Sequence, residues 1–555
     1  MDANQTRDLP YRTRGRRAWL RPDPWPVAAG IVGLLVATPI LVVISSLVNP
    51  RVEVWAHLWE TQLAELIWNT LRLMIGVGLG VLVLGTGLAW LVSMYRFPGR
   101  AVFEWLLILP LAIPTYVIGF VFRAVLDYTG PVQTQLRTIF GPQLWFPEVA
   151  SYSGVTLVMT LVLYPYVYLL ARTAFLEQSA SKLEAARALG AGTWLLFWKV
   201  ALPLARPSIV TGLALALMEA LADFGTVAIF GYSTFTVAIY RVWFSMFDRP
   251  AATQLASLLM LCTLGLYVLE RAGRGRARFY QTEGTMRPTA PKTLRGWKAW
   301  TASGTATLVV GVAFFLPVAQ LLAWVVAGPD YDARYPELLT STLLLGVVSA
   351  LLAVSAAVVV AYGVRLSNSR VVSTFAGIAS MGYALPGSVI AVGVLAPLAF
   401  LDHTLDAFLE RSLGISTGLM LTGSMVGLVF AYLARFLAVS HQTVEASLVK
   451  VTPSMDMAGR SLGASATTVL RRIHLPLIRR GLSAAAILVF VDVMKEMPAT
   501  LLLRPFGYDT LAVRVWQLTS ESFWEAAALP ALTIVAAGVV PVLILMRSRT
   551  QWIPG

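Results

Sequence analysis

Glu184-Ala185-Ala186-Arg187-Ala188-Leu189-Gly190, followed after nine residues by Val200-Ala201-Leu202-Pro203, has a partner further along the chain. It is Met457-Ala458-Gly459-Arg460-Ser461-Leu462-Gly463, followed after nine residues by Ile473-His474-Leu475-Pro476. Ala, Leu, Arg and Glu favour a short helix up to the glycine. The glycine permits a sharp turn through positive φ, and Leu-Pro reads as the entry to another helix. One such loop is an ordinary connection. Two loops of the same spacing, 273 residues apart, predict two similar halves.

The flanks define the class. The chain has 555 residues, of which 57% are hydrophobic and only 13% charged, where a soluble protein carries about 25%. That excludes an ordinary cytosolic enzyme, a disordered chain and a fibre. A single cysteine, Cys262, excludes a disulfide framework and a cysteine zinc site, and it reads as an inert core residue. His57, His403, His441 and His474 are too scattered to suggest a metal cluster. Twelve apolar segments approach the ~20 residues that span a bilayer. In the first half they are Val27–Leu47, Thr70–Val92, Val102–Val121, Val155–Leu176, Pro207–Phe230 and Ala251–Leu269. In the second they are Ala306–Ala327, Thr340–Val364, Phe375–Phe400, Leu419–Val439, Leu482–Leu503 and Ala526–Met546. Lipid satisfies no backbone polar group, so the expected fold is an all-α polytopic membrane protein with about 12 transmembrane helices.

Lys and Arg number 43 against 29 acids. With the N-terminus inside, segments 1–24, 93–101, 171–206, 270–299, 365–374, 435–481 and 547–555 are cytoplasmic and hold 32 of those 43. Basic residues concentrate on the cytoplasmic side. The net charge of +14 therefore reads as topology, with both termini inside, and not as a nucleic-acid footprint. The first apolar run follows Arg7, Arg12, Arg14, Arg16, Arg17 and Arg21. It exceeds a signal core and lacks a small-x-small cleavage site, so it reads as a retained helix. Arg16-Arg17 reads as a topology determinant, and the tryptophans as interfacial anchors.

Other matches support duplication. Asn69-Thr70-Leu71 recurs as Ser341-Thr342-Leu343, and Ala112-Ile113-Pro114 as Ala384-Leu385-Pro386. Thr236-Val237-Ala238-Ile239 with Arg241-Val242-Trp243 recurs as Thr510-Leu511-Ala512-Val513 with Arg514-Val515-Trp516. These offsets are 272 to 274; at Tyr168–Arg172, matched to Tyr432–Arg435, the offset drops to 264, which predicts a longer loop in the second copy. The expected division is a basic N-terminus 1–24, a first domain 25–271 (core 64–271), a basic linker 272–298, a second domain 299–547 (core 337–547) and a tail 548–555.

Charges within spans are costly, about 2.5–3.5 kcal/mol each at the centre of a helix. Glu219 and Asp223 fall in the fifth span, and Asp492, Lys495 and Glu496 in the eleventh. Glu219 matches Asp492 and Asp223 matches Glu496, each pair spaced i, i+4 on one helix face. They line a cation path moderated by Lys495, or they are buried pairs that fix helix packing. Pro114 and Pro386 kink or break their helices near a pathway, or simply help packing. Arg241 and Arg514, in matching outer loops, contact an extracytoplasmic protein, or they brace the loop or meet headgroups.

The doubled loop resembles the EAA loop of binding-protein-dependent ABC importers. The resemblance implies coupling helices that dock into a partner ATPase, carried here by Glu184, Ala185, Ala186, Gly190, Leu202 and Pro203, and by Met457, Ala458, Gly459, Gly463, Leu475 and Pro476. The second copy departs from the pattern: Met457 stands in place of the glutamate and Gly459 in place of an alanine, so its polar contact to the partner is in doubt. Leu221-Ala222-Asp223-Phe224-Gly225-Thr226 and Lys495-Glu496-Met497-Pro498-Ala499-Thr500, continuing through Arg504-Pro505 to Trp516, look like segments of fused ferric-iron ABC permeases. The likeness covers roughly 64–271 and 337–547. It implies two tandem six-helix permease domains in a bacterial inner membrane, two copies of an ATPase subunit, an extracytoplasmic binding protein and iron(III) as cargo. Thiamine, another cation moved by fused permeases, is the alternative.

Neither a Gly-x4-Gly-Lys-Ser/Thr phosphate loop nor a His-Glu-x2-His helix occurs. The expectation is a non-enzyme that binds no cofactor, with ATP and Mg on the partner. Gly414-Ile415-Ser416-Thr417-Gly418 matches a nucleophile pattern but lies in an outer loop and reads as chance. A major-facilitator-type secondary transporter also has two six-helix halves, and Arg96-Phe97-Pro98-Gly99-Arg100 faintly resembles its basic loop, but that class does not predict paired EAA loops. A membrane-embedded enzyme is disfavoured for want of a catalytic constellation.

Overall fold

The computed structural model describes residues 24–48, 52–178, 184, 186–190, 192–278, 291–328, 332–367 and 369–550. The basic stretch up to Arg21, Ala185, linker residues 279–290 and tail residues 551–555 lie outside the described residues. The protein is an all-α polytopic membrane protein. The first half supplies α1 (Pro24–Ser45), α2 (Leu63–Met94), α3 (Thr115–Leu126), α4 (Tyr152–Leu176), α5 (Leu202–Ala222), α6 (Phe235–Ser245) and α7 (Arg249–Arg278). The second supplies α8 (Trp297–Ala327), α9 (Tyr335–Leu366), α10 (Gly387–Leu413), α11 (Met425–Leu448), α12 (Leu475–Met494), α13 (Leu511–Ser520) and α14 (Ala528–Thr550). A two-residue parallel pairing, Tyr95–Arg96 with Lys292–Thr293, ties the end of α2 to the linker.

Local chemistry repeats with the sequence. α2 and α9 are each 32 residues long. A five-residue π turn precedes each Leu-Pro entry, at Phe197–Ala201 and Leu470–His474, and a third, Gly311–Phe315, precedes Leu316-Pro317 inside α8. In each case the leucine N–H bonds to the carbonyl five residues back, because the following proline has no N–H and its ring crowds the turn below. Gly190 and Gly463 turn through φ of +85° and +80°, a region costly for any side chain.

Three expectations change. The register does not slip at the tyrosine: α4 and α11 follow equivalent serine caps, Ser151 and Ser424, 273 residues apart. The apparent match of Tyr168 with Tyr432 is a coincidence of composition. Among the described residues, nine helices are long and apolar enough to span a membrane, ten if one bent pair counts, rather than twelve. The third expected span is that pair, bent by 90° between Arg100–Ala112 and Thr115–Phe140. α12 carries Arg479, Arg480 and Asp492, and the apolar part of α14, Ala528–Leu543, is short. Cys262 is exposed on α7 and is not a core residue.

The helix that opens each half crosses to the other half. α1 packs on α9 and α10, with Trp25 edge-on to Tyr362 at 5.3 Å and its Nε1 donating to Thr467 Oγ1 at 3.2 Å. α8 reaches back: Trp324 stacks on Phe120 at 6.4 Å, and Ser303 Oγ donates to the Pro98 carbonyl at 2.8 Å. The two halves therefore enclose a common interior, in which Tyr164, Tyr168, Phe120, Phe175 and Tyr432 are buried.

Candidate functional site

The helices that follow the two loops both stop early. α5 ends at Ala222, where Asp223 turns out with ψ of 128°, and a short helix restarts at Gly225. α12 ends at Met494, and the chain restarts at Pro498 after Lys495-Glu496-Met497. The expectation that each carboxylate pair shares one continuous helix face is thus corrected: Asp223 and Glu496 stand in breaks. Each break is stabilised by its own carboxylate, which caps the next short helix. Asp223 Oδ1 accepts from the N–H groups of Thr226 (2.9 Å) and Val227 (3.2 Å), and Glu496 Oε1 accepts from that of Ala499 (2.9 Å).

Pro114 and Pro386 break the chain elsewhere in the same region, and α3 and α10 begin directly after them. Three of the four breaks, at Pro114, Asp223 and Lys495-Glu496-Met497, line a cavity of about 120 Å³, Tyr383 reaches it from beside the fourth, and the five charges Glu219, Asp223, Asp492, Lys495 and Glu496 all line it. A Cβ on Gly225 would lie 2.7 Å from Tyr116 Cβ, so glycine is required where the Asp223 break packs on α3, and Met497 Cε from the other half comes within 2.6 Å of the same point.

Each carboxylate is met differently. Lys495 Nζ lies 2.9 Å from Asp492 Oδ1, and Arg435 Nη1 lies 3.0 Å from Glu496. Asp223 Oδ2 accepts from the hydroxyls of Thr226, at 2.8 Å, and Thr115. Glu219 Oε1 receives the hydroxyls of Tyr383 at 3.3 Å and Tyr166 at 3.5 Å. Among the described residues no three His, Cys, Asp or Glu side chains are grouped to hold a metal ion.

Arg435 and the tyrosines are additions to the sequence reading. Counting Arg435 with a cytoplasmic loop is corrected here: it lies within α11 and lines the cavity. The signal was available, because at the 273 offset Val162-Leu163 corresponds to Arg435-Phe436 and all four residues line the cavity. Tyr166 and Tyr383 are indistinguishable by composition from packing tyrosines.

At the loops, Glu184 and Met457 are exposed, Ala186 is half-buried, Ala458 exposed and Gly459 buried. Leu202-Pro203 and Leu475-Pro476 form the first turns of α5 and α12. The second loop has a charged brace. Asp456 is buried, accepts from Arg365 Nε (3.1 Å) and Nη2 (3.0 Å), and meets His474 on its other oxygen. In the first half the matching neighbourhood holds a neutral bond, from Gln178 Nε2 to the Ala201 carbonyl at 2.9 Å.

Of the outer arginines, Arg241 is exposed, whereas Arg514 lies 2.7 Å from Asp332 and bonds to Gln517 at 3.3 Å. Partial desolvation raises the Asp332 pKa, but the Arg334 backbone N–H and the Arg514 guanidinium outweigh it and leave the carboxyl below its ordinary value. Ser416 donates to Asp406 at 3.0 Å, and the same oxygen collects the N–H groups of Thr417 and Gly418. The Gly-x-Ser-x-Gly match is thus a tied loop.

The pattern of the family described as "Binding-protein-dependent transport system inner membrane component" matches residues 81–275. The chain is 29% identical over 496 residues to the "Fe(3+)-transport system permease protein FbpB 2" of Haemophilus influenzae, covering 88% of this chain and 91% of that protein. It is 23% identical to the "Putative ferric transport system permease protein FbpB 1" of the same organism, over 84% of this chain and 74% of that one. It is also 30% identical to the "Sulfate transport system permease protein CysT" of Escherichia coli K12, over 42% of this chain and 85% of that protein.

Proposed function

Because this chain belongs to the family of binding-protein-dependent transport system inner membrane components, a multi-pass permease of fused two-domain length, we propose that it forms the membrane pathway of an ATP-driven importer of ferric iron. The relatives include both iron and sulfate permeases, and cavity charge separates these cargoes. Four carboxylates face the cavity against two cations, Arg435 and Lys495. That surplus repels a dianion and favours a cation. The sign of the cavity is the observation that carries the reading, and the match to an Fe(3+) permease along 88% of the chain supports it.

In this reading an extracytoplasmic binding protein delivers the ion, and two ATPase subunits close beneath the loops at Glu184–Gly190 and Met457–Gly463. Leu202-Pro203 and Leu475-Pro476 start the helices that end at the cavity, so a push on either loop is transmitted along α5 or α12 to Asp223 or Glu496. Both termini are cytoplasmic. ATP and Mg belong to the partner, and this chain holds no cofactor of its own.

The test is radiolabelled iron(III) uptake in iron-starved cells that lack the gene, complemented with the normal chain or with a Gly190→Asp, Gly463→Asp chain. Uptake restored by the normal chain alone is expected. No restoration with the normal protein present in the membrane overturns iron. Equal restoration by both chains overturns coupling through the loops.

A further inference from the structure

The charged groups leave part of the cavity wall unexplained. Tyr116, Tyr166 and Tyr383 also line it. Tyr166 and Tyr383 come from different halves and turn their hydroxyls onto one oxygen of Glu219. The Tyr116 hydroxyl is buried without a hydrogen-bond partner, in a residue only 5% exposed. Buried polar atoms are ordinarily satisfied, and an orphan hydroxyl beside a polar cavity is one that a water or a bound ion would satisfy.

The donors can be sorted by what already holds them. Asp492 and Glu496 are neutralised by Lys495 and Arg435. Asp223 is occupied by four hydrogen bonds. Among the described residues Glu219 makes no ion pair, so one carboxylate and three phenols remain. All are oxygen donors, and no imidazole or thiolate lines the wall. Hard cations take oxygen ligands, and metal binding releases protons from its ligands. A highly charged ion can displace a phenol proton to water and keep the phenolate oxygen, which a monovalent organic cation cannot do.

We propose that Glu219, Tyr116, Tyr166 and Tyr383 form a transient coordination site for a hard trivalent cation, a proposal that rests on the cation-importer reading above. Withholding Asp492 and Glu496 keeps the ligand set small. A site on a pathway must bind well enough to admit its ion and weakly enough to release it.

The experiment titrates the purified full chain in lipid nanodiscs with iron(III) nitrilotriacetate and follows the visible ferric–phenolate absorption, alongside iron uptake in cells. The normal chain is expected to develop the band. Tyr116→Phe and Tyr383→Phe should each diminish it, Glu219→Gln should weaken the apparent affinity about tenfold or more, and Tyr128→Phe, outside the cavity, should leave it intact. Each variant is first checked for a monodisperse elution profile, and the two cavity phenylalanine variants cover for each other. No band from a normal chain that takes up iron, or a band unchanged in both cavity variants, overturns the site and leaves the importer reading standing. Absence of both band and uptake overturns the two together.

Discussion

The two halves bring the same backbone to the cavity with opposite chemistry. In the first, Asp223 and Glu219 are met by hydroxyls; in the second, Glu496 and Asp492 are met by Arg435 and Lys495. The substitutions that do this are local. Val162 corresponds to Arg435, Ala222 to Lys495, and Thr115 to Gly387. Thr115 donates to Asp223, whereas any Cβ on Gly387 would collide with Arg435 Nη1 and Glu496 Oε1. One half thus needs a hydroxyl where the other needs empty space. A duplicated framework sets positions through its helix breaks, and single side chains then make one face of the cavity compensated and the other open.

The largest effect should come from making the second half resemble the first. Arg435→Val leaves Glu496 buried without its counter-ion, and losing one partner of a buried pair costs roughly 3–5 kcal/mol. A lower melting temperature in detergent and reduced membrane abundance are expected, with partial recovery when Glu496→Gln is added. An unchanged melting temperature breaks the comparison.

Next come the carboxylates themselves. Glu219→Gln should reduce iron uptake about tenfold or more at unchanged abundance, because no cation pairs directly with that group among the described residues. Asp492→Asn, which removes a group already paired with Lys495, should reduce uptake less. Equal losses would mean that both carboxylates serve alike.

The loops offer a smaller contrast. Glu184 is exposed with a charge to offer a partner, and exposed Met457 has none. Glu184→Ala should lower uptake and ATPase stimulation in the reconstituted complex more than Met457→Ala. Equal effects would remove the asymmetry.

The smallest effect lies outside the membrane. Arg514→Ala breaks the pair with Asp332 and should cost about 1 kcal/mol or less, while exposed Arg241→Ala should change affinity for the binding protein without changing stability. Because the Asp332 carboxyl is held below its ordinary value, its contribution is present above that value and lost as pH falls through the folded one. The stability gap between the normal and Arg514→Ala chains should therefore narrow on acidification, as a pH series of melting curves would record.

Much of this molecule is legible in its sequence. Hydropathy marks a membrane helix because the cost of exposing backbone and charge to lipid is summed along one segment. Loop spacing marks a repeat because Gly190 and Gly463, Pro203 and Pro476 do their work within a few residues of themselves. The in-span carboxylates stood out for the same reason: charge in an apolar run is costly wherever the run goes. Helix ends were less legible, because Asp223 and Glu496 look like interior residues until their carboxylates are seen to cap the helix that follows.

What the fold alone settled is partnership. Tyr383 reaches Glu219 across 164 residues and Arg435 reaches Glu496 across 61, while α1 lies on the half to which it does not belong. Periodicity and composition describe what each segment can bury. Hydrogen bonding falls away within a few ångströms and Coulomb attraction is strongest in direct contact, so which carboxylate is paired and which is not depends on the segments brought beside it.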